Sequence, residues 1–97
     1  MTLIWYHGTN TEMKNLKTVT RVQTGVRIEK RVLKVLKALA AEKEMGLGDL
    51  LEGIVLHAFD GKSAFSRRTL TQIAALKKIY GLDLSAADAH ALKEERK

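Results

Sequence analysis

The chain has 97 residues, a formal net charge of +6 and no cysteine. That length suits one small domain whose core is marginal on its own, so self-association is a natural source of stability. Disulfides and thiolate metal sites are excluded, and no apolar run approaches the roughly 20 residues that span a bilayer.

Met1 to Tyr6 is too short for a signal-peptide core, so a cytoplasmic protein with no membrane partner is expected. The charge is uneven. Between Lys14 and Lys43 stand Lys14, Lys17, Arg21, Arg27, Lys30, Arg31, Lys34, Lys37 and Lys43 against Glu29 and Glu42. Residues 44–60 reverse the sign, with Glu44, Asp49, Glu52 and Asp60 and no Lys or Arg. Concentrated positive charge points to a polyanionic partner; the plain alternative is a solvated basic face.

Residues 1–17 carry one apolar patch (Leu3, Ile4, Trp5, Tyr6) followed by polar residues, and read as a flexible basic arm. Trp5 and Tyr6 either dock on the body or belong to a partner-binding segment. From Thr18 to Ile28 the sequence alternates. Val22, Thr24, Val26 and Ile28 suit a buried face, and Arg21, Gln23, Gly25 and Arg27 a polar one. Successive strand side chains point to opposite faces, so a strand is expected here, with Arg21, Gln23 and Arg27 in one row. A lone strand before helices has no partner in its own chain, which predicts pairing with a second copy. Arg and Gln are side chains that read base edges in a DNA groove.

A first helix is expected from about Glu29 to Glu44, because Val32, Val35, Leu36, Leu39 and Ala40 recur at the spacing of one helical face. Met45-Gly46-Leu47-Gly48 then predicts a turn that uses glycine in left-handed backbone conformations. A second helix should run from Leu47 or Gly48 to Phe59, with Leu47, Leu50, Leu51, Ile54, Val55, Ala58 and Phe59 on its apolar side. That stripe is long for a two-helix unit and suits burial against a twin helix. Asp49 in its first turn complements the positive end of the helix dipole. Asp60-Gly61 ends it.

After a polar connector to Arg68, a third helix is expected over Thr69–Tyr80, with Gly81 as its stop. A fourth should follow Ser85, whose hydroxyl would cap it, and run through Ala86, Ala87, Ala89 and Leu92. Residues 93–97 should fray.

Little in the chain points to catalysis or metal. His7, His57 and His90 lie far apart and share no ligand spacing, so neither metal nor cofactor is expected. No nucleophile elbow, phosphate-binding glycine loop or paired-carboxylate motif is present. Ser63, Ser66 and Ser85 read as loop and cap residues. The chain does not read as an enzyme.

The strand, first helix, glycine turn and second helix over residues 18–60 resemble the ribbon-helix-helix family, the MetJ and Arc type of repressor. The resemblance implies a mainly α fold with one β-strand, in which two chains intertwine and their strands form a two-stranded antiparallel ribbon that enters the major groove. It places base contacts at Gln23, Gly25 and Arg27. It places a phosphate at the backbone of Gly46, Leu47 and Gly48, where a helix N-terminus offers free N–H groups. Beside it, Arg21 at the ribbon end reads as a phosphate contact, and Lys30, Arg31 and Lys34 either touch phosphates or solvate the surface. The dimer core would comprise Val22, Val26, Ile28, Leu36, Leu50, Leu51, Ile54 and Val55. This sequence departs from the pattern in three ways. Asp49 stands beside the expected phosphate, the turn has no Ser or Thr, and Gly25 occupies a reading position, either for close approach to the groove or as a bulge.

The function so implied is a sequence-specific, homodimeric binder of double-stranded DNA, a transcriptional repressor. The alternative is an antitoxin or plasmid partition or copy-control protein whose C-terminal extension, residues 61–97, binds a partner protein. A helix-turn-helix reading is disfavoured because the second helix has no Lys or Arg to present to DNA.

Overall fold

The computed structural model describes residues 16–95. The expected basic arm lies largely outside them, Trp5 and Tyr6 included. Three α-helices make up the body: α1 Lys30–Glu42, α2 Leu47–Phe59 and α3 Arg67–Tyr80. A single 3-10 turn, Ala86–Asp88, follows.

Helix α1 starts where Glu29 folds its carboxylate back over the first turn. One oxygen accepts from the backbone N–H of Arg31 and of Val32, at 2.9 and 3.0 Å. Those two donors have no partner inside a helix, so the carboxylate satisfies them and complements the helix dipole. The Val32 N–H is the main reason the Glu29 carboxyl sits below its ordinary range, with Arg31 adding to it.

Each of the three helices ends in the same way, with paired backbone bonds running back into the last turn. In α1, Met45 N–H donates to Ala40 and Glu44 N–H to Ala41; in α2, Lys62 reaches His57 and Gly61 reaches Ala58; in α3, Leu82 reaches Lys77 and Gly81 reaches Lys78. This closure needs a left-handed residue. Gly61 and Gly81 supply it for α2 and α3, but Glu44 supplies it for α1, at φ 56. The turn after α1 therefore does not use its glycines as expected. Gly46 sits at φ −74 and is the residue preceding α2, and Gly48 lies inside that helix.

The core is small. Val35, Leu39, Ala40 and Leu50 are its buried hydrophobic residues. Leu36, Met45, Ile54, Phe65, Ile73 and Leu76 pack around the cluster of Leu39, Ala40 and Leu50. Helix α3 lies antiparallel to α1, as two ties at opposite ends require. Arg31, in the first turn of α1, donates to the carbonyl of Gly81 at 2.9 Å. Lys43, just beyond Glu42, donates to the buried Thr69 hydroxyl at 3.0 Å. Ser66 caps α3 by accepting from Thr69 N–H at 3.1 Å, so this helix begins two residues earlier than the periodicity predicts.

Several expectations are corrected. Among the described residues there is no β-strand, so the chain forms no ribbon. Residues 16–29 are irregular, and no backbone hydrogen bond joins residues 16–28 to another described residue. A strand exists only when its N–H and C=O groups meet a neighbouring strand, and among the described residues no other extended segment offers one. The alternation consequently sorts nothing: Val22 is 82% exposed and Val26 73%, and Ile28 alone of the supposed inner face is half-buried. Of the other expected core residues, Leu50 is buried, Leu36, Leu51 and Ile54 are partly buried, and Val55 is exposed. The fourth helix shrinks to the single turn at Ala86–Asp88. Ser85 does cap it, in a reciprocal box where Asp88 accepts from Ser85 N–H at 2.8 Å.

Candidate nucleic-acid interface

Lys30, Lys34 and Lys37 follow one another at spacings of four and three, so they share one side of α1. All three are exposed, opposite the buried Val35 and Leu39. The Lys34 ammonium lies 6.0 Å from the centre of the Tyr80 ring, at the outer limit of a cation–π contact, which brings the end of α3 to the edge of this row. Residues 16–27 continue the exposed surface from the start of α1. Gln23, Gly25 and Arg27, the expected base contacts, are all exposed, but no pleat aligns them.

The arginines of this surface are held by carboxylates. Arg21 clamps Glu52 of α2 through Nε and Nη2, each 2.9 Å from a carboxylate oxygen. This hydrogen-bonded pairing is the first cause of the lowered Glu52 pKa and of the raised Arg21 pKa. Arg27 pairs with Glu94 near the C-terminal end. Arg31 is shared between Glu29 and Asp83, at 3.0 Å each. A guanidinium fork that donates to two carboxylate oxygens also fits two phosphate oxygens, so Arg21, which reaches both oxygens of Glu52, has the geometry for an anionic partner.

The start of α2, expected to hold a phosphate, has mixed credentials. Gly46 precedes the helix without a side-chain cap, which leaves N–H groups of the first turn open. A methyl group added at Gly46 or Gly48 would meet nothing within 4 Å, and neither residue has the positive φ that calls for glycine. The fold of the single chain thus gives no reason for glycine at either place, nor at Gly25. Asp49 and Glu52, however, put two carboxylates on the same two turns, and Asp49 adds to the electrostatic stabilisation of charged Arg21.

A groove of about 840 Å³ separates the irregular segment from α1 and α2, with Val22, Val26, Ile28, Leu33, Leu47 and Leu51 as its apolar lining. Further along α2, Val55, Leu56 and Phe59 are exposed. Among the described residues no three His, Asp or Glu side chains come together as a metal cluster, and no helix is long and apolar enough to cross a membrane.

Sequence reasoning found the basic residues but missed their partners. Glu52 is 31 positions from Arg21, and Glu94 is 67 from Arg27; no local pattern encodes either pairing. The capping role of Glu29 had a signal, an acidic residue directly before the basic apolar-periodic run. Comparison with protein-family profiles, curated proteins and solved structures gave no significant match.

Proposed function

We propose that this protein binds double-stranded DNA as a homodimer and represses transcription by occluding a promoter. One observation carries the reading. Lys17, Arg21, Arg27, Lys30, Arg31, Lys34 and Lys37 succeed one another over residues 16–41 with Glu29 as the single carboxylate of that stretch, and Glu29 is folded into the cap of α1. The three arginines of the stretch are paired with carboxylates, so the excess positive charge on the surface is carried by the exposed Lys17, Lys30, Lys34 and Lys37. The row from Lys30 to Lys37 covers about 10 Å of helix. Duplex DNA carries one negative charge per about 1.7 Å of its axis, so such a row meets several phosphates.

In this reading the α1 lysines give affinity, and Gln23 and Arg27 on the irregular segment read bases. Gly25 between them keeps the segment narrow. The start of α2 at Gly46, Leu47 and Gly48 remains a candidate for an additional phosphate contact, supported by glycines the fold itself does not require.

The dimer rests on unburied apolar surface. Phe59 is 79% exposed, beside Val55 and Leu56, and α2 contains no Lys or Arg. Contiguous apolar patches on small proteins mark association sites. A second copy covers this face. The alternative, a partner protein held by the C-terminal part, is supported by Leu70 and Ile79, which α3 leaves exposed.

Substituting Arg27 tests base reading. Arg27→Ala should weaken binding to a duplex selected from a random pool far more than binding to mixed-sequence duplex, since a good bidentate base contact discriminates by about 1–3 kcal/mol. Equal loss on both would remove Arg27 from base recognition.

A further inference from the structure

The path of the chain after α3 brings a carboxylate to one of the proposed DNA contacts. Arg31 fixes the exit from α3 by holding the Gly81 carbonyl and the Asp83 carboxylate, at 2.9 and 3.0 Å. The Ser85–Asp88 box then closes one 3-10 turn. His90, at φ 67, turns the chain again. The segment that follows runs beside residues 26–28 across a cleft of about 810 Å³, where Leu84 and Leu92 stand with Val26, Ile28 and Leu33. Glu94 reaches Arg27 there.

We propose that residues 91–95 form an autoinhibitory strap, in which Glu94 occupies the Arg27 guanidinium in place of DNA. The inference rests on the reading of Arg27 as a DNA contact and adds regulation to it. Both side chains of the pair are largely exposed, so water and salt reach it and the strap is weak and reversible. That suits a device that DNA itself displaces: a duplex offers many phosphates, and the strap offers one carboxylate. The strap is aimed by the Arg31 ties and the capped turn rather than by the ion pair, so Glu94 returns to Arg27 whenever DNA leaves.

Glu95 supplies the control. It carries the same charge one residue away, and no ion pair joins it to a described residue. The full chain, Glu94→Gln and Glu95→Gln are titrated at low salt against a fluorescently labelled duplex selected from a random pool, the substrate on which Arg27 is proposed to act. Releasing an exposed ion pair should tighten binding about twofold to fivefold per copy in Glu94→Gln, while Glu95→Gln gains clearly less. In an Arg27→Ala background the gain from Glu94→Gln should vanish. Equal gains in the two glutamine variants would reduce the effect to net charge and overturn the strap, leaving DNA binding intact. A gain that survives Arg27→Ala would overturn it too. If no variant binds duplex at all, the DNA reading falls and the strap falls with it.

Discussion

Arg21 and Glu52 are joined by two hydrogen bonds of 2.9 Å each, and this clamp fastens the irregular segment to α2. The groups are exposed, so the clamp orients the segment more than it stabilises the fold. Glu52→Gln should therefore leave helix content unchanged while speeding tryptic cleavage after Arg21. Unchanged cleavage would mean that other contacts fix the segment.

Acid should release the same clamp. The Arg21 hydrogen bonds hold the Glu52 carboxyl, and the Val32 N–H holds the Glu29 carboxyl, below the ordinary carboxylate range in the folded chain. A lowered folded pKa means stability that is present above the unfolded value and lost as pH falls through the folded one. Stability should thus hold from neutrality to about pH 5 and decline below it. Thermal unfolding at stepped pH checks this; Glu52→Gln should leave the decline nearly unchanged, because the exposed clamp adds little to stability, and Glu29→Gln should flatten part of it.

Gly48 separates folding from binding. It sits within α2 with open space where a Cβ would be, and glycine in a helix costs about 1 kcal/mol relative to alanine. Gly48→Ala should raise stability in urea by about 0.5–1 kcal/mol. If the start of α2 holds a phosphate, the same variant loses DNA affinity while gaining stability. A gain in both would remove Gly48 from the interface.

Leu39 and Leu50 centre the core. Replacing either with alanine should cost about 2–5 kcal/mol, comparable to the whole stability of a domain this small. Because Ile73 and Leu76 pack on the same cluster, deletion of residues 66–97 should also unfold the chain. Circular dichroism checks both, and a folded truncation would show that α3 is dispensable.

Phe59→Asp addresses the second copy. In the single chain Phe59 contributes little to the core, so the variant should keep its helix content. Sedimentation should find the wild type dimeric and the variant monomeric. A monomeric wild type would leave the α2 face without its proposed partner.

The helices were legible in the sequence because burial imposes a period, and Val35, Leu39 and Leu50 follow it. Two of the three helix ends were legible as well, since Gly61 and Gly81 stand where a left-handed residue is needed. The end of α1 was not: two nearby glycines drew the turn towards themselves, while the backbone placed the left-handed residue at Glu44. The stretch from Thr18 to Ile28 misled for a different reason. Alternation is a property of one segment, but a strand is a property of two, and the described residues supply no second. For the interface, the cations could be read directly. Their carboxylate partners could not, because Glu52 and Glu94 approach only after α2 and the chain beyond α3 have been placed.

Salt dependence of binding to duplex DNA is the sharpest test of the proposed function. With the intact chain, log K should fall linearly with log salt, at a slope of about −0.9 per phosphate neutralised. Replacing Lys30, Lys34 and Lys37 together with alanine should make that slope shallower by two to three such contacts per copy, roughly 2–3. Binding that ignores salt, or a slope untouched by loss of the three lysines, would contradict a DNA interface on α1.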